Sequence, residues 1–170
     1  MLRSKLEVLL AIALAALAAG CASYNGYSLV AGKSTAAEVE ATMGIPDERQ
    51  PYAGETLWWY PRGPAGWHSY AVWIGSDGVL RRIEQRLTVE NVRKLAAGST
   101  TRKEVRELFG PPFVVSYLPR QKREVWEYKL LEVDFKWNLW VQFPDDGIVR
   151  EVLQMRHPDM DPPSAGTGKE

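Results

Sequence analysis

Few side chains in this sequence could take part in acid–base, nucleophilic or metal chemistry. The chain has two histidines, His68 and His157, and a single cysteine, Cys21. It contains no Gly-x-Ser-x-Gly elbow, no Walker loop, and no His-Glu-x-x-His or His-x-x-x-His spacing. Asp145-Asp146-Gly147 lacks the alternating ligands and distal glutamate of a calcium loop, so it predicts a hairpin turn. We therefore expect solvated or edge histidines, no metal site, no catalytic residue and no enzyme.

Cys21 is the residue with the most specific chemistry. It follows a positively charged start and an apolar run over 8–19, which is too short for a permanent membrane helix and indicates a secretory signal. Leu17-Ala18-Ala19-Gly20-Cys21 resembles a bacterial lipobox. The resemblance implies a signal peptide over 1–20 and diacylglyceryl and acyl chains on Cys21, which together anchor a protein stably. Ala22, where an aspartate would favour the inner membrane, then implies the outer membrane. The alternative is an ordinary signal peptide followed by a chance cysteine.

The composition excludes several classes of function. Lys plus Arg and Asp plus Glu each number 21, so the chain has no basic footprint for nucleic acid. One cysteine excludes an internal disulfide framework and a cysteine-rich zinc site. Hydrophobic residues make up 45% and charged residues 25%, as in a globular domain. The seven tryptophans all lie beyond residue 57, so all of them belong to the predicted mature chain.

The sequence repeats itself at an offset of 66 to 69 residues. Leu29–Val39 recurs as Leu95–Val105, and Asp77–Arg81 recurs as Asp146–Arg150. Several ordered matches of this kind indicate two copies of one structural unit. The predicted organisation is a signal peptide over 1–20, a first unit over 21–87, a second unit over 88–157 and a disordered Pro/Gly/Ser-rich tail over 158–170.

Each copy carries the same helix and turn signals. Capping boxes, which explain the paired glutamates without a catalytic role, occur at Thr35-x-x-Glu38 and Thr101-x-x-Glu104. An earlier helix is predicted over 89–96, capped by Thr88, with a counterpart over 27–31. Alternating apolar residues predict strands over 56–60, 69–74, 79–87, 123–129, 135–143 and 148–155. The expected fold class is α+β, with two tandem ααβββ units, each with two helices on one face of a three-stranded antiparallel sheet.

These motifs resemble those of the BamE (SmpA/OmlA) family of outer-membrane lipoproteins. The resemblance covers 29–154 and rests on Gly-x-(Ser/Thr)-Thr-x-x-Glu-Val, Gly-x-Pro, a Trp-x-Tyr strand and an Asp-Gly-hydrophobic hairpin. It implies a small ααβββ domain that serves as an accessory subunit of the machinery inserting β-barrel proteins. The common member has one unit, whereas this chain has two. The tandem form is also similar to the β-lactamase inhibitor protein, whose disulfides a chain with one cysteine cannot form.

The two copies divide the tryptophans into two groups. Trp58 matches Trp126, so both are predicted to face the helices. Trp59, Trp73 and Trp140 have the opposite parity and are predicted on the sheet face that the helices leave uncovered. Two explanations stay open. These three rings bury one another where the units meet, or they form a docking surface for a partner protein or peptide.

The remaining aromatic and cationic residues leave further possibilities. Trp137 is expected in the core, whereas the pattern does not assign Trp67. Arg81-Arg82, Arg86 and 120–123 are expected to be solvated, or alternatively to touch anionic headgroups. An edge strand could also accept a partner strand.

The sequence thus predicts a non-catalytic protein held by lipid on the periplasmic face of the outer membrane. Its expected partners are subunits of the barrel-assembly machinery or another envelope protein. The alternative is an inhibitor or binding module for a periplasmic enzyme, which would use the Trp-rich face. No cofactor is expected apart from the covalent lipid on Cys21.

Overall fold

The computed structural model describes residues 25–62, 67–133 and 135–158. The predicted signal peptide, Cys21 and the predicted tail after Pro158 lie outside the described residues. Strands account for 46% of the structure and helices for 16%. No helix in the described ranges is long and apolar enough to cross a membrane. The elements are α1 Ala36–Met43, β1 Glu48–Tyr52, β2 Glu55–Arg62, β3 His68–Ile74, β4 Leu80–Gln85, α2 Val89–Val92, α3 Arg102–Phe109, β5 Val114–Leu118, β6 Arg123–Glu132, β7 Phe135–Phe143 and β8 Glu151–Arg156.

The strands form two four-stranded antiparallel sheets. The first sheet has the order β1-β2-β3-β4 and the second has the order β5-β6-β7-β8, so sequential strands are neighbours throughout. The predicted fold class, two ααβββ units with three-stranded sheets, is therefore wrong. Each sheet has a further strand, β1 or β5, at one edge.

These two edge strands escaped prediction because they lack the alternation of a half-buried strand. β1 reads Glu-Arg-Gln-Pro-Tyr, and all five residues of β5 are exposed. Of the two predicted earlier helices, the one over 89–96 begins after the Thr88 cap as predicted but has only four residues, and the one over 27–31 is absent. α2 ends at Val92 because the amides of Lys94 and Leu95 bond to carbonyls three residues back, which tightens the chain into turns. The 27–31 segment forms turns and irregular backbone.

The predicted helix caps and hairpin turns are confirmed. Both capping boxes are present, and in each the threonine oxygen accepts from the glutamate amide while the glutamate accepts from the threonine amide. The Thr101 amide accordingly lowers the pKa of Glu104. Gly44 and Gly110 end α1 and α3 at positive φ. The Asp146 carboxylate accepts from the Ile148 amide at 2.9 Å and closes a turn, as predicted.

Each sheet packs one face against its helix. The first core consists of Val39, Met43, Trp58, Tyr60, Val72, Ile74 and Leu80. The second consists of Leu87, Val105, Phe109, Trp126, Tyr128, Leu130, Leu139, Val141, Phe143 and Val149, with Trp137 packed against it as predicted. The same tyrosine contact fixes both helix ends, because Tyr60 donates to the Gly44 carbonyl at 3.1 Å and Tyr128 donates to the Gly110 carbonyl at 3.2 Å. The parity prediction for these faces is therefore correct.

Candidate partner-binding surfaces

The two histidines serve as packing partners for other rings. The His68 ring stacks on Tyr70 with centroids 6.0 Å apart, and partial burial lowers the His68 pKa. The His157 ring meets Trp67 edge-on at 5.0 Å. Among the residues that the structure describes, no group of three or more His, Cys, Asp or Glu side chains could hold a metal ion.

Trp59 and Trp73 lie on the face of the first sheet opposite to α1, as parity predicts, but this face is buried. Their exposed fractions are 1% and 5%. They form a cluster with Leu57 and Ala71 that is separate from both helix-facing cores. Neither ring is accessible enough to anchor a partner. For these two residues, the explanation in which the rings are buried where the units meet fits the structure.

The end of α3 covers this cluster, and we call the contact the seam. A Cβ atom on Gly110 would lie 2.4 Å from the Trp59 ring, so only glycine allows the helix end to come this close. Arg86 fastens the same helix end by donating to the carbonyls of Glu107 at 2.9 Å and Leu108 at 3.2 Å. Those carbonyls would otherwise lack intrahelical partners. The charge of Arg86 thus has a structural role that the sequence alone did not assign.

A cleft of about 440 Å³ opens beside the seam. Arg82 lies over the Trp73 ring at 3.9 Å and forms ion pairs with Glu55 and Glu84. The Trp73 indole nitrogen is buried and has no hydrogen-bond partner among the described residues. Because the cations and carboxylates along this cleft are largely paired with each other, it presents no strong charge to a ligand.

Trp140 lies apart from the seam, on the outer face of the second sheet. It is half-buried, and its indole donates to Glu127 at 3.1 Å. The register places Val114, Glu127, Trp140 and Leu153 in one row across all four strands. Met155, in the next row, is 59% exposed. This outer face, which we define by Val114, Leu118, Trp140, Leu153 and Met155, is a partly exposed apolar surface.

Trp67 bridges the two halves of the structure, although the sequence pattern did not place it. It is buried, and besides His157 it approaches the amino groups of Lys129 and Lys136 at 5.8 and 5.4 Å. Cations at these distances from an indole face are attracted to it. The signal that could have indicated this role is the lack of an equivalent tryptophan in the second copy, which marks a residue outside the repeated core.

The edge strand β5, which the sequence pattern did not predict, is a second candidate binding surface. Val115 and Tyr117 are 55% and 54% exposed, and Phe113, Val114 and Leu118 are also exposed. The signal was present in the sequence as an apolar run, Phe113 to Leu118, without a charge or a proline. Such runs are uncommon on unprotected strand edges.

Comparisons with known proteins add little to these surfaces. No family model and no curated protein matches the chain. Among solved structures, the chain is similar to a Streptococcus mutans protein described provisionally as a beta-lactamase inhibitor protein, at 14% sequence identity. The match covers 72% of this chain and 82% of that chain, with a TM-score of 0.29. At this TM-score the likeness carries no argument about fold or function.

Proposed function

We propose that this protein is a non-catalytic lipoprotein, held by lipid on Cys21 at the periplasmic face of the outer membrane, that works by binding a partner protein. Its proposed role is that of an accessory scaffold resembling a subunit of the β-barrel assembly machinery. The repeated motifs behind the lipobox-like segment support this role. The observation that carries the binding function is the partly exposed apolar outer face of the second sheet.

The outer face has the composition of a docking surface. Trp140 is half-buried and lies beside the exposed apolar side chains of Leu153 and Met155, and a tryptophan in such a setting is a common interface anchor. The Trp140 indole N–H donates to the Glu127 carboxylate, so the ring is already ordered before a partner binds. The corresponding face of the first sheet is occupied by the seam, so the outer face of the second sheet is the proposed site for the partner protein.

Cys21→Ser is expected to move the protein from the membrane fraction to the soluble periplasmic fraction. The serine hydroxyl would not accept the diacylglyceryl group, so the acyl chains that anchor the protein would be lost. Fractionation followed by immunodetection measures the change, and Ala22→Ser serves as the neighbouring control that keeps the anchor. Retention of the Cys21→Ser protein in washed membranes would refute the lipoprotein proposal.

Trp140→Ala is expected to reduce partner recovery about tenfold, because a desolvated tryptophan anchor contributes that much to binding. The free energy of unfolding should change by only about 1 kcal/mol, since the ring is half exposed. The measurement is co-purification from detergent-solubilised membranes, with immunodetection of the barrel-assembly core subunits.

The control for this variant is Tyr27→Ala, which removes another exposed ring, 90% accessible, outside the second sheet. It should leave partner recovery unchanged. Recovery of one soluble hydrolase in place of the barrel-assembly subunits would favour an inhibitor instead. If Trp140→Ala and the unaltered chain recover the partner equally, the outer face is not the binding surface.

A further inference from the structure

Strand β5 presents an open, apolar sheet edge. Within the described residues its one strand neighbour is β6, at the end of the β5-β6-β7-β8 order. All five of its residues are exposed, and none is charged or a proline. Natural sheets usually protect an edge with charges, proline, bulges or a covering element, because unpaired amides and carbonyls can pair with another chain.

The equivalent edge in the first sheet is protected by a proline, by charges and by a neighbouring helix. β1 contains Pro51, and its two charged residues pair with neighbours, Glu48 with Arg106 and Arg49 with Glu40. α3 also lies alongside β1, across a gap of about 360 Å³. The two copies of this edge strand therefore differ in protection: the edge at β1 is closed and the edge at β5 is open.

The repeat also indicates which β5 amides point outward. Pro51 pairs with Thr56 in the first sheet, and Tyr117 pairs with Glu124 at the matching position of the second. Proline lacks an amide hydrogen, so Pro51 must lie where the amide faces away from β2. By the same register, the amides and carbonyls of Val115 and Tyr117 face away from β6, whereas those of Ser116 face β6.

We propose that β5 binds an extended segment of a partner polypeptide as a fifth, antiparallel strand of the second sheet. The proposal rests on the function proposed above and specifies where and how the partner docks. Main-chain hydrogen bonds to Val115 and Tyr117 provide the binding, and alternate side chains of the added strand extend the outer face past Val114 and Leu118. The partner segment is therefore apolar at alternate positions and contains no proline at its centre.

Charge at the two ends of β5 defines the segment further. Arg120 and Lys122, in the turn that follows β5, are exposed and form no ion pair within the described residues. In an antiparallel arrangement they meet the N-terminal end of the added strand, so that end carries acidic residues. At the other end of β5, the Lys129 amino group lies 4.1 Å from the Phe113 ring.

These charges disfavour a second copy of this chain as the partner. Antiparallel pairing of two β5 strands would place Arg120 and Lys122 of each copy near Lys129 of the other, and like charges at such a junction oppose pairing. The carboxylate of Glu124 does not offset this repulsion fully, because it forms an ion pair with Arg102 of its own chain at 3.5 Å.

The test is a titration of the full-length purified chain with a synthetic peptide, labelled Asp-Asp-Thr-Val-Thr-Val-Thr-Val, followed by fluorescence anisotropy. Tyr117→Pro gives β5 the residue that β1 has at the equivalent position, and it should weaken peptide binding about tenfold or more. The melting temperature should stay within a few degrees, about 1 kcal/mol of stability at most, because no bond to β6 is lost.

Two controls keep this result interpretable. Ser116→Pro removes an amide that bonds to β6, so it should lower the melting temperature clearly, which verifies the register. Pro51→Tyr restores an amide on the covered edge and should leave peptide binding unchanged. Undiminished binding to Tyr117→Pro, no binding of the peptide at millimolar concentration, equal binding of a peptide with its acidic residues at the C-terminal end, or self-association of the chain would each overturn the proposal.

Failure of this proposal is distinguishable from failure of the proposed function. The titration uses purified protein and a defined peptide, so its outcome does not depend on whether Cys21 carries lipid. A chain that leaves the barrel-assembly subunits behind but binds the peptide retains the edge site without the proposed cellular role. A chain that recovers those subunits but ignores the peptide binds them through the outer face alone.

Discussion

Trp59→Ala is expected to lower the free energy of unfolding by about 3–5 kcal/mol, which is the range for removing a fully buried aromatic ring. Trp59 is 1% exposed and packs in the seam against the end of α3. Alanine would leave a cavity between the first sheet and Gly110, and the two halves of the structure cannot close it without moving α3. Urea denaturation measures the loss.

The matched comparison is Trp140→Ala, which removes the same side chain from the outer face of the second sheet. Because that ring is half exposed, its loss should cost about 1 kcal/mol. The free energies of unfolding of the two variants should therefore differ by at least about 2 kcal/mol. Equal losses would mean that the seam opens in solution and that Trp59 is accessible there.

Equivalent positions on the outer faces of the two sheets carry different side chains, which gives the doubling of the unit a physical consequence. Trp59 aligns with Glu127, and Trp73 aligns with Gln142. In the first sheet these positions are buried by the seam, so aromatic rings are stable there. In the second sheet the matching positions are polar: Glu127 is half-buried, and Gln142 is buried and accepts from Arg123 at 2.9 Å. The first unit therefore depends on the second to cover its outer face.

Local chemistry made the caps and the core faces predictable from the sequence. Thr35 and Thr101 signal helix starts within three residues of their partners, and the parity of Trp58 and Trp126 identifies the core face because sheet side chains alternate. β1 and β5 could not be found in this way, since an edge strand with no buried face leaves no alternation. The helix predicted over 89–96 is shorter in the structure because the chain tightens into turns after Val92, a local change that the sequence pattern does not signal.

Parity alone could not decide what covers Trp59, because the covering atoms are remote in the sequence. Gly110 ends α3 at positive φ. Its second role, allowing the helix end to contact a ring in the other sheet, follows from an arrangement of the two units that no local pattern encodes. Arg86 is a similar case: the sequence predicts a solvated cation, whereas in the structure its guanidinium caps the end of α3.

Gly110→Ala tests that second role directly and is expected to destabilise the protein by about 3 kcal/mol. Part of this cost, about 2 kcal/mol, arises because Gly110 has φ of 77°, where a Cβ atom is strained. The rest arises because the new Cβ atom would overlap the Trp59 ring, and the seam is too well packed to yield without cost. Thermal denaturation should show a melting temperature lower by about 10 °C.

Gly98→Ala supplies the control, since Gly98 has φ of 82° but nothing within 4 Å of an added Cβ atom. It should cost only about 1 kcal/mol, the backbone part alone. In the Trp59→Ala background, Gly110→Ala should cost only its backbone part, about 2 kcal/mol, because the overlapping ring is gone, and the difference is the coupling between the two residues. Additive losses in this double-mutant cycle would show that Gly110 and Trp59 do not touch, and the seam would then need another explanation.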